Sequence, residues 1–93
     1  MGSAIKFNWV LQLSVSEEPV AGNCYEFTKV GNRVFPIETP IDLIDLNRNA
    51  IAKIRIKSFQ NITDKTIGEY QVIKVYSGIE KEVLTNYWIE NEK

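Results

Sequence analysis

The chain has 93 residues, of which 44% are hydrophobic and 25% charged, a balance typical of one small globular domain rather than of a disordered tail. Its 11 basic and 12 acidic residues give a formal net charge of −1, which argues against a dedicated DNA-coating protein. There is no histidine and only one cysteine, Cys24, so histidine-based catalysis, histidine metal sites and intramolecular disulfides are excluded.

The same features predict the compartment and the domain organisation. A lone cysteine favours a reducing cytoplasm over a secreted disulfide scaffold. No run approaches the ~18 consecutive apolar residues of a membrane span. The glycines are isolated and form no phosphate-binding loop, so no nucleotide or other cofactor is predicted. We expect a single cytoplasmic domain over residues 1–93.

The first predicted element is a strand over residues 7–15. Large apolar side chains occupy every second position, which is the period of a strand with one buried face. These residues are Phe7, Trp9, Leu11, Leu13 and Val15.

A β-hairpin is predicted next, over residues 24–38, with its turn at Gly31 and Asn32. A two-residue loop would divide the apolar side chains between the two faces. A three-residue loop places Phe27 opposite Phe35 and leaves one apolar face, and burial usually decides register.

The rest of the chain predicts further strands and leaves two segments open. Residues 52–58 alternate strictly and residues 70–76 are rich in β-formers, which indicates a strand in each. Residues 41–46 fit a helical turn or an irregular strand. Residues 83–89 are apolar on both sides, and a short helix beginning near Ile79 is an alternative there.

About six strands without a long helical crossover predict an all-β fold, or a β-dominated fold with one short helix, arranged as a small antiparallel β-barrel or roll. The predicted core consists of Trp9, Leu11, Leu13, Phe27, Phe35, Ile54, Ile56 and Val72.

A basic stripe is the sharpest candidate site. Lys53, Arg55 and Lys57 project from one face of a predicted strand, roughly 6.6–7 Å apart, which approximates the spacing of successive phosphates. Basic residues on other strands could extend it, and nearby aromatic side chains could stack on single-stranded bases. The aromatic candidates are Phe59, Tyr76 and Trp88. The competing interpretation is a solvated sheet face, which needs charged residues in any case.

Three carboxylates are the candidate catalytic groups. Glu38, Asp42 and Asp45 lie close together in the sequence, and carboxylate pairs catalyse some hydrolyses without histidine. Oxygen ligands of this kind also suit a divalent ion such as magnesium. A solvated acidic loop explains them more simply, so we predict no catalytic residue and no metal ligand.

Three segments carry a resemblance. They are the run 31–41 (Gly-Asn-Arg-Val-Phe-Pro-Ile-Glu-Thr-Pro-Ile), the Phe-Asn-Trp of 7–9 and the Ala-Ile-Ala-Lys-Ile of 50–54. Together they resemble a family of small conserved proteins of Bacillus-type bacteria whose function is unassigned. More distantly, a small barrel with basic strands looks like the RNA-associated PUA and ASCH pseudobarrels, although none of that group's site residues can be placed here.

The sequence therefore favours a non-enzymatic binding module, with a protein or RNA as partner and no membrane. RNA binding through Lys53, Arg55 and Lys57 is the first alternative, and a small carboxylate-dependent enzyme is the second. We expect a monomer or a weak homodimer formed through an edge strand.

Overall fold

The computed structural model describes residues 6–15 and 17–90, with only the backbone of residues 6 and 7. That part of the chain forms seven strands and one helix, which confirms the predicted β-dominated fold. The elements are β1 (Lys6–Phe7), β2 (Val10–Gln12), β3 (Cys24–Val30), β4 (Arg33–Val34), β5 (Pro40–Ile44), β6 (Ala50–Ile62), β7 (Lys65–Val75) and α1 (Gly78–Glu90).

Five strands form one curled sheet in the order β2-β5-β6-β7-β3, which makes a half-barrel. The long strands β6 and β7 are antiparallel and meet at a turn where Thr63 and Asp64 both have positive φ. Strand β5 pairs antiparallel with β6, and strand β3 pairs antiparallel with β7, on either side of this central pair. Strand β2 instead joins β5 in parallel, and β1 and β4 form a separate parallel pair.

The two edges of the half-barrel lie close to each other. The Lys29 ammonium on β3 donates a hydrogen bond to the Gln12 carbonyl on β2, at the opposite edge of the sheet. Partial burial, with a smaller contribution from Arg33, lowers the pKa of Lys29. This bond links the two edge strands across the open side of the barrel.

The core lies on the concave face of the sheet, where alternate residues of β6 are buried. Six predicted core residues are buried as expected, namely Leu11, Phe27, Phe35, Ile54, Ile56 and Val72. The prediction for Trp9 is wrong, because this side chain is 59% exposed. Leu13 is only half-buried and packs against the margin of the core.

The predicted first strand is also wrong as a single element. The chain leaves the extended ladder at Asn8 and Trp9, between β1 and β2, and the two short strands join different sheets. This break interrupts the alternation and turns the Trp9 indole towards solvent.

The predicted hairpin over 24–38 does not form. Strand β3 pairs along its whole length with β7, so that Val30 lies opposite Lys65. Gly31, with φ of 89°, turns the chain away from β3, and the Arg33 amide donates to the buried Thr66 hydroxyl. The Phe27 and Phe35 rings still meet edge to face, 5.5 Å apart, although their strands are not hydrogen-bonded to each other.

The two segments whose secondary structure the sequence left undecided form a strand and a helix. Residues 40–44 form the strand β5, and residues 78–90 form a helix of 13 residues. Leu84 and Trp88 of α1 lie half-buried on one side of the helix, while Ile79 and Val83 are exposed on the other. Within the described ranges, no helix is long and apolar enough to cross a membrane.

Candidate functional site

The basic stripe lies on the convex face of β6. Lys53, Arg55 and Lys57 alternate with the fully buried Ile54 and Ile56, so all three basic side chains share one face, as predicted. Each of them is half-buried.

Glu38 occupies part of this stripe. Its carboxylate lies 2.8 Å from the Lys57 ammonium and 3.7 Å from the Arg55 guanidinium. The hydrogen bond from Lys57 is the largest of the effects that hold the pKa of Glu38 below its usual range. Two of the three positive charges therefore face a carboxylate rather than open solvent.

The aromatic side chains expected beside the stripe are used elsewhere. Phe59 packs edge to face against Phe35 at the margin of the core. Tyr76 is buried, and Trp88, a residue of α1, is half-buried on the side of the helix that faces the sheet. The structure does not bring these three rings together as a stacking surface.

The Asp42 carboxylate anchors α1 to the sheet. It accepts a hydrogen bond of 2.6 Å from the Tyr76 hydroxyl and one of 2.7 Å from the Trp88 indole N–H. The Thr85 hydroxyl accepts the amide of Ala50, which adds a second link between the helix and the sheet. Asp42 is therefore committed to holding the helix in place.

Asp45 organises the loop that follows β5. Its carboxylate accepts hydrogen bonds from the backbone amides of Asn47 and Asn49 and from the side-chain amide of Asn49. These bonds outweigh partial burial and lower the pKa of Asp45. In the residues that the structure describes, no group of three acidic or cysteine side chains is placed to hold a metal ion.

A cavity of about 310 Å³ lies where the segment after β2 passes the end of the β3–β7 pair. Tyr25 and Tyr70 form one wall. They are direct partners in the β3–β7 register, and their ring centroids are 5.7 Å apart. The remaining lining that matters for binding consists of Leu13, Glu17, Glu18, Pro19 and Val20. We call this space the tyrosine cavity.

The Tyr70 hydroxyl is the unusual group of the tyrosine cavity. Tyr70 is only 6% exposed, and no hydrogen bond joins its hydroxyl to another described residue, but this oxygen is not among the fully buried polar atoms that lack a partner. Burial, and to a smaller extent the neighbouring Tyr25, raise the pKa of this phenol, which therefore stays protonated at neutral pH. The hydroxyl oxygen is therefore the accessible end of a mostly buried side chain, where a ligand in the cavity can reach it.

The charged side chains in the described lining of the tyrosine cavity are acidic. Glu17 and Glu18 are exposed at its rim, and Lys81 of α1 lines an adjoining cavity with the same two glutamates. The hydroxyl of Tyr25 accepts a hydrogen bond of 2.9 Å from the Val20 backbone amide, and its own proton remains free to be donated. The cavity thus combines aromatic rings, phenol donors and negative charge.

Sequence reasoning did not find this site. The predicted first strand stops at residue 15, before Glu17 and Glu18, and the predicted hairpin over 24–38 leaves Tyr70 out of the pairing of Tyr25. No local pattern indicates that Tyr25 and Tyr70 would meet, because they lie 45 positions apart in the sequence.

Comparisons with known proteins give a family and a fold. A family model described as a domain of unknown function, DUF2584, matches residues 1–78. The crystal structure of the protein ytmB from Bacillus subtilis, a structural-genomics target, resembles this chain with a TM-score of 0.71 and 25% sequence identity. The similarity covers 83% of this chain and 96% of ytmB. No curated protein matches the chain significantly. The expected kinship with a small bacterial family of unknown function is confirmed.

Proposed function

The chain belongs to the DUF2584 family, and we propose that its domain is a non-catalytic binding module that holds a small organic cation in the tyrosine cavity. The observation that carries the proposal is the Tyr70 hydroxyl, which no described residue hydrogen-bonds and which is the accessible end of a mostly buried side chain in the cavity wall. A ligand in the cavity that carries an acceptor can receive a hydrogen bond from it.

The lining of the cavity indicates the charge of the ligand. Glu17 and Glu18 are the only charged side chains in the described lining of the cavity and favour a cation, and tyrosine rings bind cations through their quadrupole. The volume of about 310 Å³ lies at the small end of the range for ligand pockets, roughly 300–1,000 Å³. A small ammonium compound with a hydroxyl or another acceptor fits both features.

The non-catalytic part of the proposal is supported by what the candidate carboxylates already bind. Asp42 anchors α1, Asp45 caps its own loop, and Glu38 pairs with Lys57 and Arg55. A catalytic acid or base needs a position from which it can reach a substrate proton. These three groups are instead occupied by the protein's own donors.

RNA binding through the basic stripe is the alternative function. The shared face of Lys53, Arg55 and Lys57 supports it. The Glu38 carboxylate opposes it, since a phosphate would have to displace this group from two of the three cations. Dependence on salt separates the two proposals, because phosphate contacts on several lysines weaken steeply as salt rises.

Titration of the full chain with choline, followed by NMR of the backbone amides, tests the cation site. We expect saturable shifts confined to residues around Tyr25 and Tyr70. Dimethylbutanol, the neutral isostere of choline, should cause little change. Equal shifts with the neutral compound, or no saturable shift with choline, would refute the proposal.

Two variants test the individual groups. Glu17→Gln should weaken choline binding by up to about fivefold, because an exposed ion pair contributes roughly 0.2–1 kcal/mol. Tyr70→Phe keeps the ring but removes the hydroxyl, so it should weaken choline and leave tetramethylammonium, which has no hydroxyl, unchanged. Glu26→Gln, an exposed acid that does not line the cavity, is the matched control. A loss of tetramethylammonium binding in Tyr70→Phe would contradict the role of the hydroxyl.

A further inference from the structure

A second cavity, of about 340 Å³, adjoins the tyrosine cavity. The two spaces share three lining residues of the segment after β2, namely Val15, Glu17 and Glu18. The other lining residues of the second cavity come from the sheet and the helix, and they are Ile51 of β6, Val75 of β7 and Lys81 of α1. We call this second space the lysine cavity. A ligand in the tyrosine cavity can extend past the two glutamates into it.

Three aliphatic side chains form the apolar wall of the lysine cavity. Ile51 and Val75 are half-buried and pack against the margin of the core, and Val15 is also half-buried. Apolar surface of this kind favours a hydrocarbon group of a ligand, because a charged group would lose its hydration there without gaining a partner. The apolar wall therefore suits an alkyl chain.

Lys81 is the basic group of the lysine cavity. It is half-buried, and it forms no ion pair with a carboxylate of the described chain, although two glutamates line the same space. Its charge contributes to the lowered pKa of Asp45, but that carboxylate already accepts hydrogen bonds from Asn47 and Asn49. The Lys81 ammonium, with three N–H donors, can therefore pair with an anionic group of a ligand.

We propose that the domain binds a zwitterion in which an alkyl chain joins an organic ammonium group to a carboxylate. The ammonium group would occupy the tyrosine cavity, the chain would lie along the apolar wall, and the carboxylate would reach Lys81. A carboxylate that pairs with an ammonium forms a charge-assisted hydrogen bond, which is stronger than a neutral one. This inference rests on the proposed cation site and adds the chemical class of its ligand.

The charges of the two cavities favour a carboxylate over a phosphate as the anionic group. Glu17 and Glu18 line both cavities and repel an anion in proportion to its charge. A carboxylate carries a single negative charge, whereas a phosphate monoester carries about 1.5 to 2 at neutral pH. The carboxylate therefore meets less repulsion from the two glutamates and still pairs with Lys81.

A series of trimethylammonium carboxylates tests the inference, with one, three or five methylene groups between the nitrogen and the carboxylate. The primary amide of each compound is its matched control, since it keeps the cation and the chain but not the negative charge. Titration of the full chain, followed by NMR of the backbone amides, gives both affinities. At one chain length, the carboxylate should bind about fivefold or more tightly than its amide, with shifts that extend from Tyr70 to Lys81. Equal affinities of carboxylate and amide at every length would overturn the inference.

Lys81→Gln tests the partner of the carboxylate. It should bring the ratio of carboxylate to amide affinity close to one, whereas Lys65→Gln, which changes an exposed lysine that lines neither cavity, should keep the ratio of the wild type. If Lys81 serves only to neutralise the glutamates, Lys81→Gln will strengthen the carboxylate and the amide alike and keep their ratio, which would contradict the inference. Binding of choline without any preference for a carboxylate would refute this inference alone, and failure of choline to bind would refute the cation site as well.

Discussion

Removal of the Asp42 carboxylate is expected to release α1 from the sheet while the half-barrel stays folded. In Asp42→Ala, the Tyr76 hydroxyl and the Trp88 indole lose their shared acceptor. The helix has 13 residues, none of them buried, and helices of this length are marginal in water without tertiary packing. It should therefore open locally rather than with the whole domain.

The magnitude follows from the Trp88 hydrogen bond, because Tyr76 precedes α1 and its bond to Asp42 does not join the helix to the sheet. A bond to a charged group contributes roughly 1.5–3 kcal/mol. We expect a loss of about 1.5–3 kcal/mol in the free energy that holds α1 closed. The lower value corresponds to roughly a 13-fold change in the opening equilibrium.

Amide hydrogen exchange measures this opening directly. Protection in α1 should fall about tenfold or more in Asp42→Ala, while the central residues of β6 keep most of theirs. Asp42→Asn is the matched control, since its amide can accept from the indole and donate to the Tyr76 oxygen, and its effect should be smaller. Unchanged protection in α1, or an equal fall in α1 and β6, would refute the reasoning.

Four further outcomes are expected. Ile54→Ala should cost about 2–5 kcal/mol in chemical denaturation, because this side chain is fully buried, and an unchanged midpoint would contradict its place in the core. Gly68→Ala should lower the melting temperature, because the new Cβ would lie 2.5 Å from the Ser58 carbonyl oxygen. The expected loss of stability is about 1–3 kcal/mol, and a higher melting temperature would show that the strand shifts to make room. Burial and the Asp42 hydrogen bond raise the pKa of Tyr76, so the folded phenol keeps a proton that the unfolded chain releases above pH ~10. Stability should then fall by up to about 1.4 kcal/mol per pH unit, less steeply in Tyr76→Phe, and equal slopes in the two proteins would exclude this phenol as the cause. The wild-type chain should not retain single-stranded RNA at physiological ionic strength. Glu38→Gln removes the carboxylate that pairs with Lys57, so it should increase RNA retention on the basic stripe at low salt. If neither protein binds RNA at low salt, the stripe is excluded as an RNA site.

Local periodicity was a reliable guide where one face of a strand is buried, as in residues 50–56 of β6. Residues 52–58 of β6 alternate strictly, and the structure buries Ile54 and Ile56 while Lys53 and Arg55 take the other face. The side chain of a strand residue points to one of two sides, so burial of one face fixes both. The position of the basic stripe followed directly from this rule.

Periodicity misled where the chain changes partner. The alternation of residues 7–15 suggested one strand, but the backbone leaves the ladder at Asn8 and Trp9. Residues 83–89 were ambiguous, because a short segment that is apolar on both sides fits a buried strand or a helix. Only the contacts of Trp88 and Thr85 with the sheet show why the helix is held there.

By itself, the sequence determined a small β-dominated domain, most of its core and the charged face of β6, because these depend on composition and on local alternation. Strand pairing is a long-range choice that local patterns do not encode. Burial of Phe27 against Phe35 is satisfied both by the predicted hairpin and by the observed pairing of β3 with β7. Only the second arrangement places Tyr25 opposite Tyr70, and the tyrosine cavity exists because the tertiary structure made that choice.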